Sequence, residues 1–99
     1  MSMTIYLFCS GGFSTSLLAK KMLEAYHAHG EDVTVEAFDY GSLDDVAEEA
    51  DVILLGPQIS WAKDEVLEDY PDKKVMVMDM QDFGSMDGER MMKKVEALR

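Results

Sequence analysis

The stretch DVILLGP, Asp51 to Pro57, sets four consecutive aliphatic residues between an acid and the turn pair Gly56-Pro57. It lacks the alternation of apolar and polar residues that marks a strand with one wet face. A short continuous apolar run bounded by turn residues reads as a central strand covered on both faces, as in sheets built from β-α-β crossovers. Such a strand needs helices on both sides of its sheet, so the flanking sequence should alternate strand with helix.

It does. Before it, MTIYLF (Met3 to Phe8) is short and rich in β-branched and aromatic residues, and reads as a buried strand. From Ser14 to about His29 the period becomes helical, with Leu18, Met22, Ala25 and Tyr26 on one face and Lys20, Lys21 and Glu24 on the other. Gly30 is a natural stop. DVTVEAFDY alternates as a strand through Val33, Val35 and Ala37, and GSLDDVAEEA reads as a short helix with Ser42 as its N-cap and acids in its first turn. After Pro57, SWAKDEVLEDY reads as a helix ending before Pro71, KKVMVMDM as a fourth strand and DFGSMDG as a loop. ERMMKKVEALR closes the chain as a helix that turns Met91, Met92, Val95 and Leu98 inward. The expected fold is a single α/β domain over residues 1–99: a three-layer sandwich with a four-stranded parallel sheet, order 2-1-3-4, and helices on both faces.

Composition removes several classes of function. The 99 residues carry 20 acids against nine Lys and Arg, a net charge of -11. Nucleic-acid binding needs clustered cations to neutralise phosphates, and anionic lipid repels an acidic surface, so neither is an expected partner. No apolar run approaches the roughly 20 residues of a membrane span, and MSMTIYLF lacks the basic and long apolar regions of a signal peptide. One cysteine forms no internal disulfide, and the expected compartment is a reducing cytoplasm. The nine methionines read as soft core filler.

That cysteine, Cys9, lies at the end of the first strand, in FCSGGFSTSLLAKKM. In open α/β sheets ligands bind beyond the strand carboxyl ends. The loop after Cys9 opens a helix, where unpaired backbone N–H groups and the positive end of the helix dipole favour an anion. Gly11 and Gly12 allow close backbone approach, and Ser10, Ser14, Thr15 and Ser16 add hydroxyl donors. The same field favours the nucleophilic thiolate. Nucleophile and anion cradle therefore coincide. Spacing alone also admits an inert cysteine followed by an ordinary capped helix.

Other motifs fall away. G-x-G-x-x-G is absent, and no G-K-[ST] follows the glycines. His27 and His29, both late in the helix, make with one cysteine a poor metal set, so no metal and no cofactor are expected beyond a phosphoryl group carried on sulfur. Cysteine phosphatases, and enzymes resembling arsenate reductases, place an arginine six residues after the cysteine to clamp the phosphate. Here that position is Thr15, and no Lys or Arg occurs before Lys20. Such a loop can accept a phosphoryl group but is poorly equipped to hydrolyse it, which disfavours the phosphatase alternative; a non-catalytic regulatory domain is the other.

CSGGFSTSLLAKKM after a short apolar strand, with ILLGPQISW (Ile53 to Trp61) and KKVMVMDMQDFGSMDG, resembles the IIB component of the lactose/cellobiose-type sugar phosphotransferase system, from about Met3 to the C-terminus. The resemblance implies a phosphotransferase in which the phosphohistidine of a IIA protein donates to Cys9, and phosphocysteine passes the group to a sugar bound by the membrane IIC component. It implies a cytoplasmic protein, transiently at the inner face of the membrane and not inserted in it. Ser10, Gly11, Gly12, Phe13, Ser14, Thr15 and Ser16 would form the phosphate-binding loop. Gly56, Pro57 and Gln58 would form the neighbouring wall, Gln58 with a polar contact to phosphate. Phe13 stands where the family more often has methionine, a change at the rim that meets a partner. Two readings remain open for Trp61, a partner anchor or a residue packed on the sheet, and for Asp79, a neighbour of the site or a cap. Asp44, Asp45, Glu48 and Glu49 read as a solvated face.

Overall fold

The computed structural model describes residues 3–10 and 13–98, the side chains of residues 13 and 14 excepted. Four strands, β1 (Met3–Cys9), β2 (Val33–Asp39), β3 (Val52–Leu55) and β4 (Lys74–Val77), form one sheet of order β2-β1-β3-β4 in which every pair is parallel. The expected order 2-1-3-4 is the one observed. All four residues of β3 are buried, because β3 lies inside the sheet and both its faces are covered.

The alternation of strand side chains divides the core in two. Ile5, Leu7, Val33, Val35 and Leu54 face α1 (Phe13–Ala28) and α5 (Gly88–Leu98), which contribute Leu18, Met22, Tyr26, Met91 and Val95. Tyr6, Phe8, Ile53 and Leu55 face the other side, where Leu43, Ala47, Ile59, Ala62 and Val66 pack against them. Each fully buried aliphatic side chain contributes about 1.5–3 kcal/mol of transfer free energy. Cys9 follows Ile5 and Leu7 in strand parity, so its side chain belongs to the α1 face.

Helix α1 ends in a Schellman motif. Glu31 N donates to Tyr26 O and Gly30 N to His27 O, with Gly30 at φ +74°. Helix α5 lies close enough to α1 that a Cβ at Gly88 would sit 2.3 Å from the Lys21 carbonyl carbon. Only glycine fits that crossing.

Three local expectations need correction. Ser42 makes no side-chain capping bond: the chain is already a 3-10 turn over Tyr40–Ser42 when it enters the short α2 (Leu43–Val46), so no helix entrance exists at Ser42. The helix expected from Ser60 starts at Lys63 as α3 (Lys63–Asp69), after a 3-10 segment, Pro57–Ala62, kinked at Ile59. The fourth strand, expected through Met80, ends at Val77, and Met80–Ser85, which runs from the end of that stretch into the one read as a loop, is helix α4. Asp79 caps it by accepting from Asp82 N at 2.7 Å, and the buried Asp82 side chain is tied to α5 through Lys94 and Arg90. Those bonds outweigh the low helix propensity of Gly84 and the acids. The helix ends at Met86, a left-handed residue at φ 55° whose side chain packs on the core.

Candidate functional site

Parallel strands place all their carboxyl ends along one edge of the sheet. Cys9 ends β1 there, in register with Asp39 at the end of β2. Gly56 follows β3 on the other side. Its N–H donates to Phe8 O at 2.8 Å, and a Cβ on it would lie 3.2 Å from Cys9 Cβ and 2.9 Å from Gln58 Oε1. A side chain at position 56 would therefore press on Cys9. Of the expected wall, Gly56 lies directly beside the cysteine. Gln58 folds back over Gly56 while largely exposed, and Pro57 is half-buried.

The Cys9 side chain is 2% exposed. Its Sγ accepts a hydrogen bond from Thr15 Oγ1, and Thr15 is itself fully buried. The residue at the phosphatase arginine position thus turns its hydroxyl onto the sulfur. Sequence reasoning counted Thr15 among four hydroxyl donors; burial separates it from Ser10 and Ser16, which are exposed. Backbone positions 13 and 14 form the first turn of α1. Gly11 and Gly12, with the side chains of Phe13 and Ser14, lie outside the described residues. No acid occurs between Cys9 and Glu24, so the start of α1 is free of carboxylates that would oppose an anion.

Asp79 is the cap of α4. Its carboxyl is held below the usual carboxylate range, first by the Asp82 backbone N–H it accepts and further by Lys94. Trp61 does not pack on the sheet: it is 65% exposed and meets Tyr40 edge to face, ring centroids 5.6 Å apart. Sequence reasoning missed Tyr40, although it follows the second strand as Trp61 follows the third. Asp44, Asp45, Glu48 and Glu49 are exposed as expected, and His27 and His29 lie at the surface, His29 paired with Glu89.

A buried thiol at the carboxyl end of a strand, bonded to a buried hydroxyl at the start of a helix, sets the chain among α/β proteins with a cysteine at the strand-end site, and the G-x-G-x-x-G of a dinucleotide binder is absent. Residues 4–94 match the family model described as PTS system, Lactose/Cellobiose specific IIB subunit. The chain is 38% identical over 88 residues to the oligo-β-mannoside-specific EIIB component of Bacillus subtilis, covering 87% of this chain and 85% of that one. It is 35% identical over 101 residues to the galactose-specific EIIB component of Lactococcus lactis subsp. cremoris, covering 95% and 94%. The lactose-specific IIB domain of Streptococcus pneumoniae superposes with a TM-score of 0.90 at 17% identity, over 98% of this chain and 97% of that one, a likeness of fold. The cellobiose-specific IIB component of Borrelia burgdorferi gives a TM-score of 0.78 at 29% identity, over 99% and 92%. The chain belongs to the lactose/cellobiose-specific IIB subunit family of the sugar phosphotransferase system, and is a phosphotransferase component of sugar transport.

Proposed function

We propose that Cys9 is the phosphoryl carrier of this IIB component. Its thiolate attacks the phosphorus of a phosphohistidine on the IIA protein, forming the S–P bond as the N–P bond breaks and the imidazole leaves. A sugar hydroxyl held by the membrane IIC component then attacks the same phosphorus. The S–P bond breaks, the thiolate leaves and the hydroxyl proton passes to a base on the acceptor side. The observation that carries this reading is the Thr15 hydroxyl bonded to Cys9 Sγ, where a hydrolytic enzyme would place a cation. The hydroxyl steadies the leaving thiolate without the phosphate clamp that speeds attack by water.

The backbone from Ser10 to Ser16 serves as the cradle, with Gly56 and Gln58 as the adjoining wall. Transfer needs no cofactor or metal beyond the phosphoryl group itself. The protein works in the cytoplasm and meets the inner face of the membrane only through the IIC component; among the described residues, no helix is long and apolar enough to cross a membrane. The names of relatives span oligo-β-mannosides, galactose and cellobiose, in keeping with a sugar chosen by the membrane component. The test is Cys9→Ser, expected to abolish IIA-dependent sugar phosphorylation, beside an assay for aryl phosphate hydrolysis, expected to show none. Sugar phosphorylation that survives Cys9→Ser would end this reading.

A further inference from the structure

Among the described residues, the exposed large hydrophobic side chains are Leu17, Trp61 and Met80, at 46%, 65% and 71%. Each lies on a segment that leaves the carboxyl edge of the sheet, the edge where Cys9 ends β1. Trp61 differs from the other two in its surroundings. It meets Tyr40 across the end of β1, since Tyr40 follows β2 and Trp61 follows β3, the two neighbours of β1. Beside Tyr40, a cleft of about 230 Å³ is lined by Tyr40, Leu43, Asp44, Glu65 and Asp69. Burial first, and then the carboxylates of Glu65, Asp44 and Asp69, hold the Tyr40 hydroxyl above its usual range. Positions 39–49 carry five acids and no base, and Lys63 is the one cation among Asp64, Glu65, Glu68 and Asp69.

We infer that the Tyr40–Trp61 face is the docking surface for the cytoplasmic side of the membrane component that receives the phosphoryl group. The inference rests on the carrier reading above and adds where that acceptor sits. Cytoplasmic loops of membrane proteins carry an excess of Lys and Arg close to the bilayer. An exposed indole set against a tyrosine whose cleft holds three carboxylates is their complement: the charges steer the encounter, and guanidinium or ammonium groups stack on the exposed ring. The same carboxylates repel anionic headgroups, so the occupant is the basic protein surface and not the lipid around it. No such charge rule governs a soluble donor. Tyr40 directly follows Asp39, the register partner of Cys9, so a partner seated on this face reaches the sheet edge at which Cys9 ends β1.

The test uses the full chain, Trp61→Ala and the charge reversal Glu65→Lys/Asp69→Lys, with the IIC component of its own system in phosphatidylcholine nanodiscs. All three positions are exposed, and unchanged melting temperatures establish that the variants fold. Trp61→Ala is expected to weaken nanodisc binding about tenfold or more, as for aromatic interface anchors. The charge reversal is expected to weaken it comparably and to remove most of its salt dependence. Phosphorylation of Cys9 by the IIA donor stays within about twofold of wild type in both, because the substituted side chains are assigned to the acceptor's contact and not to the donor's. Unchanged nanodisc binding in both variants overturns the proposal. So does slowed donor phosphorylation, which gives the face to the donor, and so does binding to phosphatidylglycerol vesicles without IIC. If the donor fails to phosphorylate wild-type Cys9, the carrier reading falls first and the proposal with it.

Discussion

Thr15 Oγ1 donates a hydrogen bond to Cys9 Sγ, and both side chains are withdrawn from solvent. The bond joins the last residue of β1 to the first turn of α1, so the thiol is fixed by two elements at once. A thiolate leaving phosphorus needs such a donor more than a thiol at rest does.

Thr15→Val keeps the shape and removes the hydroxyl. A hydrogen bond to a charged partner is worth about 1.5–3 kcal/mol, so transfer from phosphocysteine to sugar should slow by about 10- to 100-fold. Thr15→Ser should recover most of it. Single-turnover transfer from isolated phosphoprotein is the measurement; equal rates in Val and Ser variants would remove Thr15 from the mechanism.

Two glycines should respond in opposite directions. At Gly88 a Cβ would lie 2.3 Å from the Lys21 carbonyl carbon and oxygen and 2.7 Å from Met22 N, all backbone of α1. Gly88→Ala must separate α1 from α5, and overpacking of this kind costs about 1–3 kcal/mol or more, a fall in melting temperature of about 5–20 °C. At Gly84, within α4, nothing lies within 4 Å. Gly84→Ala should raise the melting temperature by a few degrees, since Ala gains about 0.5–1 kcal/mol over Gly in a helix. Calorimetry on the pair checks both.

Asp82 is 1% exposed, and its partners Arg90 and Lys94 are 48% and 38% exposed in their side chains. Arg90 Nε lies 2.7 Å from Oδ1 but its N–H is not aligned on that oxygen, so the contact is an ion pair rather than a hydrogen bond. Asp82→Asn leaves Arg90 without its acid and Lys94 with Asp79 alone, 3.4 Å away, and loosens α4 from α5. Solvent screening lowers the cost from the range of a fully buried pair to about 1–3 kcal/mol. A urea midpoint equal to wild type would show the cluster to be energetically idle.

Tyr70 should give an alkaline signature. Its hydroxyl donates to Asp44 at 2.8 Å, and that bond to a carboxylate, ahead of burial and the other acids nearby, pushes its pKa up to about 12. The folded state holds this proton more tightly than the unfolded chain, whose tyrosine titrates near 10. The contribution is complete below about pH 10 and is lost as pH rises toward 12. Wild type should therefore lose stability over that window faster than Tyr70→Phe. Parallel slopes would contradict it.

The sheet was legible because its evidence is local. Val52 to Leu55 is apolar without alternation, Val33 and Val35 alternate, and Gly30 ends α1 where the pattern breaks. What escaped depends on contacts between distant segments. Helix α4 forms because Asp79 caps it and Asp82 reaches α5, although Gly84 and Gly88 punctuate the sequence like a loop. Ser42 looks like a cap, but the preceding turn is already helical. At the site, the position of Cys9 and the lack of a nearby cation were readable from the order of residues. The burial of Thr15 against the exposure of Ser16 was not, since it follows from the helical phase that turns position 15 inward and position 16 outward. The Tyr40–Trp61 contact is invisible to spacing because it spans the end of a strand that neither residue belongs to.

The central claim is that Cys9 carries the phosphoryl group. Its most direct test is peptide mass spectrometry of the wild-type chain after incubation with phosphorylated IIA protein, under conditions that preserve thiophosphate. The account predicts one phosphoryl group, on the peptide containing Cys9 and absent from Cys9→Ser. A phosphoryl group on His27, His29 or any other residue, or none on the wild-type chain, would contradict it.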